Sequence, residues 1–558
     1  MVYDRDKPLI VQKDMTVLFD VRHPDAVRIR DELSRFADLV KSPEPFHTYR
    51  ISSLSLWNAA AAGTDCETVI RFLAENGRTD LPDEVAREIG KIMRRYGLIR
   101  LEAHEDRLRL VVDAGEPLRA LEQSPLLAAY CRERLGSHTF AVRRSDRGLL
   151  KQELLRLGFP VIDLAGYQQA ETLDVRLKGK ETGFELRDYQ EQAVNAFLEG
   201  GRGDGGSGLL VLPCGSGKTV IGIAVLARLG KACLILTANV TSVRQWKREL
   251  LDKTTLTEDM IGEYTGELKQ VRPVTIATYQ ILTYRRSENA DFVHMELFRQ
   301  RAWGLIIYDE VHLLPAPVFR ATAGIQATRR LGLTATLVRE DGREEDVFSL
   351  VGPKRADMRW KDLERQGWIA PVECEEIRVP LTGEARSAYI RAKAREQHRI
   401  AGENPAKMEA VVALLEKHAG KPAIIIGQYL NQLKQIAGRF GAPMISGRTP
   451  HKIREQIYAD FREGKLPVLV VSKVANFAVD LPDAGVAIQV SGSFGSRQEE
   501  AQRLGRVLRP KEDGGRAFFY TVVSAGTREQ DDALKRQMFL LEQGYRYRIR
   551  AAKELTES

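Results

Sequence analysis

Apolar residues recur along this chain in two rhythms, one helical and one strand-like. Ala26, Ile29, Leu33, Phe36 and Val40 keep helical spacing after Pro24-Asp25, and Met15 to Val21 before them has the composition of a strand. Val69 to Leu73, and then Val85, Ile89, Ile92 and Tyr96, predict two more helices, the second opened near Pro82 and closed at Gly97. Residues 98 to 103 and 107 to 112, joined by Glu105-Asp106, predict a hairpin. Following two helices, it suits the wing of a winged helix, a module that docks on duplex DNA, although protein docking and plain packing fit the same pattern. From about residue 138 a strand, a helix rich in leucine (Leu149, Leu150, Leu154, Leu155) and a strand over 172 to 177 predict a second small unit.

Beyond these, β-branched runs alternate with amphipathic stretches: Leu209 to Leu212, Cys233 to Thr237, Val274 to Thr278 and Leu305 to Tyr308. Such alternation predicts an α/β class of parallel sheets covered by helices. It resumes after residue 420 at Ala423 to Ile426, Val468 to Val471 and Val486 to Val490, so two lobes of this kind are expected. With 558 residues the chain has room for several domains with full cores. No run of eighteen apolar residues occurs, so no membrane segment is expected. Met1 to Asp6 lacks the basic-then-apolar order of a signal peptide, so a cytoplasmic, nucleoid-associated protein is expected.

Composition sharpens this only a little. The 43% hydrophobic and 29% charged residues are ordinary for globular proteins, and the net charge of +8 is compatible with a polyanionic partner. Cys66, Cys131, Cys214, Cys233 and Cys374 form no C-x-x-C pair, which argues against zinc ribbons, iron–sulfur clusters and disulfide frameworks.

Specific chemistry enters where the strand Leu209 to Leu212 runs into Pro213-Cys214-Gly215-Ser216-Gly217-Lys218-Thr219 and then a helix, Val220 to Leu229. Strand, glycine-rich turn and helix form the context of a phosphate loop. Glycines let successive amides face an anion, the helix N-terminus adds partial positive charge, Lys218 reaches terminal phosphates and the Thr219 hydroxyl can ligand magnesium. Leu212 stands where the common pattern has its first glycine, leaving only G-x-G-K-T. Downstream, the apolar strand Leu305 to Tyr308 delivers Asp309-Glu310-Val311-His312. Adjacent carboxylates at a strand end are costly without a cation or water, so Asp309 is expected to hold Mg2+ through its water shell and Glu310 to orient and deprotonate an attacking water. Taken alone, the same pair also fits a solvated acidic turn. Phosphoryl transfer needs cations on the developing charge, commonly a guanidinium from across a cleft. Gln502-Arg503-Leu504-Gly505-Arg506-Val507-Leu508-Arg509 places three arginines at helical spacing, as a solvated basic face also would.

Together these motifs resemble superfamily-two helicases, and within them the XPB-type DNA repair helicases. The carriers are L-R-D-Y-Q at 186 to 190, L-P-C-G-S-G-K-T at 212 to 219, S-V-R-Q-W at 242 to 246 and D-E-V-H at 309 to 312. To these are added L-G-L-T-A-T-L-V-R-E-D at 331 to 341, S-K-V-A-N-F-A-V-D-L-P at 472 to 482, Q-R-L-G-R-V-L-R-P at 502 to 510 and F-L-L-E-Q-G-Y at 539 to 545. Phe46 to Asp113 is similar, more weakly, to the amino-terminal domain of eukaryotic XPB. The resemblance implies two RecA-like lobes and ATP with Mg2+ as cofactors. It implies that Arg187 and Gln190 contact adenine, and that Pro213 to Thr219 and Asp480 line the nucleotide. His312, Thr334 and Thr336 would link the ATP cleft to the DNA track. Gln502, Arg506 and Arg509 would belong to the catalytic set, the two arginines as fingers. Arg339-Glu340-Asp341 matches an element associated with duplex opening. A short insertion near Arg386 to Arg399 stands where the family has its thumb, with Arg391, Arg395 and Arg399 on one helical stripe beside Tyr389 as a stacking surface for DNA.

The expected division is an accessory domain with a winged-helix-like part over 1–130, a small damage-recognition-like α/β domain over 131–180, an ATP-binding lobe over 181–370, a linker and short thumb over 371–410 and a second lobe over 411–558. Expected partners are single-stranded DNA and duplex forks, with a nuclease or another repair protein, for a chain acting as a monomer. Four functions fit the motifs: a 3′ to 5′ DNA helicase, with polarity by resemblance alone, a duplex translocase that does not separate strands, an RNA-unwinding motor, and an ATP-gated binding module. The intact Lys218, Asp309, Glu310 and Arg506 argue against the last.

Overall fold

Leu209, Leu210, Leu234, Ile235, Ile306 and Ile307 are fully buried, and runs this apolar on both faces make strands only where helices cover both sides of a parallel sheet. The computed structural model bears this out. It describes residues 4–42, 45–179, 184–199, 205–213, 215–287, 292–326, 328–335, 344–472, 484–492 and 515–555. They form two compact units, one of Met1–Leu212 with Gly217–Asp357, the other of Pro213–Ser216 with Met358–Ser558.

In the first unit a seven-stranded, wholly parallel sheet runs in the spatial order Ile261–Tyr264, Val274–Thr278, Cys233–Thr237, Leu305–Asp309, Arg329–Thr334, Ser207–Val211, Lys354–Asp357. The strand leading into the phosphate loop is thus separated by one strand from the strand ending in Asp309. Helix Lys218–Leu229 begins at Gly217 and stops at Gly230, both left-handed, with Ile221 to Leu226 buried between them. In the second unit another parallel sheet of seven strands runs Met444–Ile445, Val468–Ser472, Ala423–Gly427, Val486–Gln489, Ala517–Ser524, Val372–Val379, Tyr547–Ala551. Two lobes built on parallel sheets are therefore present, as the alternating pattern predicts, in the RecA-like arrangement that the resemblance implies.

The amino-terminal part differs from expectation in four places. Helix Ala26–Leu33 ends before Phe36, and Val40 lies in strand Asp38–Lys41, the edge of an antiparallel four-stranded sheet. Val40 is exposed there and its neighbour Leu39 faces the core, so the helical spacing beyond Leu33 is a coincidence of apolar residues. The hairpin Ile99–His104 and Arg107–Val112 is not a free wing. It forms the middle of a five-stranded sheet, bonded to Thr139–Val142 on one side and to Val161–Leu164 on the other. A boundary at 130/131 would cut this sheet, so the separate winged-helix reading is corrected to one shared unit. No strand forms over 172–177, where isolated bridges, Thr172 with Lys231 and Leu177 with Thr254, and single backbone hydrogen bonds tie an extended segment to the parallel-sheet lobe.

The expected linker over 371–410 is corrected too. Val372–Val379 is an interior strand of the second sheet, flanked by Ala517–Ser524 and Tyr547–Ala551, so the second lobe includes residues well before 411.

Candidate functional site

At the end of strand Ser207–Val211 the Leu212 N–H donates to the Thr334 carbonyl at 2.9 Å, and the Leu212 side chain is fully buried. Leu212 prolongs the sheet by one residue, and at that place a core side chain is used where the common pattern has a flexible glycine. The turn follows immediately. The Ser216 N–H and hydroxyl both donate to the Pro213 carbonyl, at 3.2 and 2.7 Å. Gly215 and Gly217 take φ of 81° and 79°, a region that other residues enter only with strain. Gly217 caps helix Lys218–Leu229, so the amides of the first helical turn face the loop, with Lys218 and the half-buried Thr219 as its first residues.

Gln190 closes on this loop. A Cβ at Gly217 would lie 2.6 Å from Gln190 Nε2, while Gln190 Oε1 accepts the Arg187 N–H at 3.0 Å. The two residues expected to read adenine are thus joined to each other, and Gln190 packs against the phosphate loop.

Strand Leu305–Asp309 delivers the carboxylates. Asp309 is held by the indole of Trp246, whose Nε1–H donates to Asp309 Oδ2 at 2.9 Å, and its backbone carbonyl accepts the Tyr279 hydroxyl at 3.0 Å. Burial, followed by repulsion from Glu310, raises the Asp309 pKa above the usual carboxylate range, against the opposing pull of the Trp246 bond and the Lys218 charge. A carboxylate in that position favours a hard divalent cation, and with the Thr219 hydroxyl it offers the oxygen donors that magnesium takes. Glu310 sits at φ 53°, strained for a residue with a side chain. Its Oε1 lies 3.5 Å from Lys218 Nζ and its Oε2 lies 3.4 Å from His312 Nδ1. That same His312 nitrogen is 2.8 Å from Thr334 Oγ1. One line of contacts therefore runs from Lys218 through Glu310 and His312 to Thr334.

Two members of this arrangement carry no expected role in the sequence reading, Trp246 and Tyr279. The signal for Trp246 was available, because a fully buried indole must find an acceptor for its N–H, and S-V-R-Q-W precedes the acidic pair in an alternating α/β pattern. Nothing in sequence spacing points to Tyr279. Cys214, Thr336, Arg339, Glu340, Asp341, Asp480, Gln502, Arg506 and Arg509 lie outside the described residues.

The thumb-like segment departs from expectation. Helix Gly383–Arg391 ends and a second, Ala394–Gly402, begins, so Arg391 does not share a helical stripe with Arg395 and Arg399, although all three are exposed. Tyr389 is buried, with its hydroxyl accepting the Arg528 N–H at 2.9 Å. It anchors the segment to its own lobe and offers no stacking surface. Among the described residues no helix is long and apolar enough to cross a membrane.

Comparison with known proteins matches three family models: ERCC3/RAD25/XPB C-terminal helicase over residues 363–558, helicase conserved C-terminal domain over residues 9–136, and type III restriction enzyme, res subunit, over residues 183–339. A Kineococcus radiotolerans protein named DNA 3′-5′ helicase XPB is 52% identical, across 98% of this chain and 96% of its own length. A Mycobacterium tuberculosis protein of the same name is 51% identical across 99% of both chains. The general transcription and DNA repair factor IIH helicase/translocase subunit XPB of Antonospora locustae is 34% identical, across 98% of this chain and 82% of its own.

Proposed function

The chain belongs to the XPB family of superfamily-two helicases, and from that membership we propose that it is an ATP-dependent DNA 3′ to 5′ helicase serving DNA repair. The observation that carries the chemistry is the line Lys218, Glu310, His312, Thr334, with the half-buried Asp309 at its side.

In this reading the Gly215 to Thr219 turn takes the phosphates of ATP on backbone amides, and Lys218 pairs with the terminal phosphates. Thr219 and Asp309 would hold Mg2+, which supplies neutralising charge for the phosphates when bound. Glu310 takes the proton of the attacking water. Once nucleotide draws Lys218 away, the Glu310 carboxylate keeps its His312 contact and is oriented by it. Arg187 and Gln190 are assigned to adenine, Asp480 to the nucleotide, Gln502, Arg506 and Arg509 to the developing charge, and Thr336 to coupling. Arg339, Glu340 and Asp341 are assigned to the fork, and the exposed Arg391, Arg395 and Arg399 to the DNA backbone. A nuclease or another repair protein is the proposed protein partner.

A second reading, a duplex translocase that leaves strands paired, is favoured by the Antonospora relative's name, which joins helicase with translocase. Strand displacement measured beside triplex displacement tests the two. Release of a strand from a fork supports the helicase, whereas triplex displacement without it supports the translocase. ATPase stimulated by RNA as strongly as by DNA would overturn both.

A further inference from the structure

Helix Arg147–Arg156 of the five-stranded-sheet unit packs on helices Ala316–Gly324 and Glu344–Leu350 of the first parallel-sheet lobe. The approach is close enough that a Cβ at Gly148 would collide with the Ala323 backbone. Within this joint lies a cavity of about 40 Å³. Three buried cationic side chains line it, Arg147, Lys151 and Arg330, together with one carboxylate, Asp163.

That carboxylate is fully committed. Arg147 donates to its two oxygens at 3.0 and 2.7 Å, and Lys151 Nζ donates at 2.9 Å. The remaining bond of Lys151 goes to the neutral Gln326 Oε1 at 2.7 Å. Arg330 is 2% exposed and has no carboxylate partner among the described residues. Its Nε donates to the Leu350 carbonyl at 2.7 Å, its Nη1 donates to the Gln326 carbonyl at 2.7 Å and also to that of Thr328, and Nη2 has no acceptor among the described residues. Carbonyl oxygens satisfy hydrogen bonds without neutralising the charge, which is opposed at a distance by Asp163, a carboxylate already shared by Arg147 and Lys151. Burying a cation without a counter-ion is strongly unfavourable, and water in the cavity would solvate but not neutralise it. Burial pushes the Lys151 ammonium down to about 8, with Asp163 opposing and Arg330 and Arg147 adding repulsion.

We propose that this joint is a binding site for one small inorganic anion of chloride size, held by Arg330 with Lys151 and Arg147. The volume suits a monatomic anion, being a few times what one water requires, and is too small for a nucleotide or a DNA phosphate with its sugar. The site lies on the strand Arg329–Thr334 whose other end is Thr334, so the anion would fasten the amino-terminal sheet to the strand that closes the candidate ATP site.

The test uses the full chain. In crystals grown with bromide replacing chloride, an anomalous peak is expected beside Arg330, and a cavity refined as water alone would overturn the proposal. In solution, melting temperature should rise with sodium chloride or bromide above its value in sodium gluconate of equal ionic strength, by mass action on the folded state. The excess should vanish in Arg330→Gln, and its full persistence there would place the anion elsewhere and overturn the assignment. Should that variant not fold, the bromide map of the unaltered chain decides.

Discussion

His312 Nδ1 lies 2.8 Å from Thr334 Oγ1 with both side chains buried, so the histidine that follows the two carboxylates is tied to the strand leading into residues 336–343. The same nitrogen is 3.4 Å from Glu310, which makes His312 the meeting point of the proposed general base and Thr334.

His312→Ala and Thr334→Ala should each lower DNA-stimulated ATPase while leaving ATP affinity near normal. Combining them should cost little more than the worse single change, with an interaction of about 1 kcal/mol, because each removes the same contact. Strictly additive losses in turnover would show that the two residues act independently.

Trp246→Phe keeps an apolar ring and removes only the indole donor to Asp309 and some volume. A bond to a charged group is worth about 1.5–3 kcal/mol, so the carboxylate should hold its proton more firmly and bind cation more weakly. The expected result is an ATPase that needs roughly tenfold more Mg2+ for half-maximal rate, corresponding to ~1.4 kcal/mol, and recovers at excess Mg2+. An unchanged Mg2+ dependence would leave Trp246 as core packing alone.

What could be read beforehand follows from range. Leu209, Ile235 and Ile307 announce buried strands through their own neighbours, and the phosphate loop is legible because strand, glycines and helix are contiguous. Pairing between distant strands is not. The hairpin at 99–112 looks free in sequence because its partners at 139–142 and 161–164 lie beyond any local window. Tyr389 shows the same limit. Its spacing beside arginines fits a stacking surface, and only the start of helix Arg528–Glu542, far along the chain, makes it a buried anchor. Trp246 falls between, its motif visible and its acceptor not.

Arg506→Ala and Arg509→Ala should each slow single-turnover hydrolysis with DNA present by about 10³, a magnitude typical of arginine fingers, with far smaller effects on nucleotide binding. Near-normal rates would return both to a solvated helix face.

Replacing Arg339, Glu340 and Asp341 together with alanine should preserve most DNA-stimulated ATPase and abolish most strand separation. Charged surface residues without a role change little on replacement, about half a kcal/mol in stability, so selective loss of unwinding identifies a fork contact. Both rates should be taken on one preparation with one forked substrate, and a parallel fall in both would assign the segment to the ATP cleft or to folding.

The central claim, that this site turns ATP hydrolysis into directional opening of DNA, is tested most directly by unwinding of duplexes carrying either a 3′ or a 5′ single-stranded tail. Unwinding should occur on the 3′-tailed substrate with ATP, should fail with a non-hydrolysable analogue, and should be absent in Lys218→Ala and in Glu310→Gln, the latter still binding ATP. Unwinding supported by the analogue, or retained by Glu310→Gln, would contradict it.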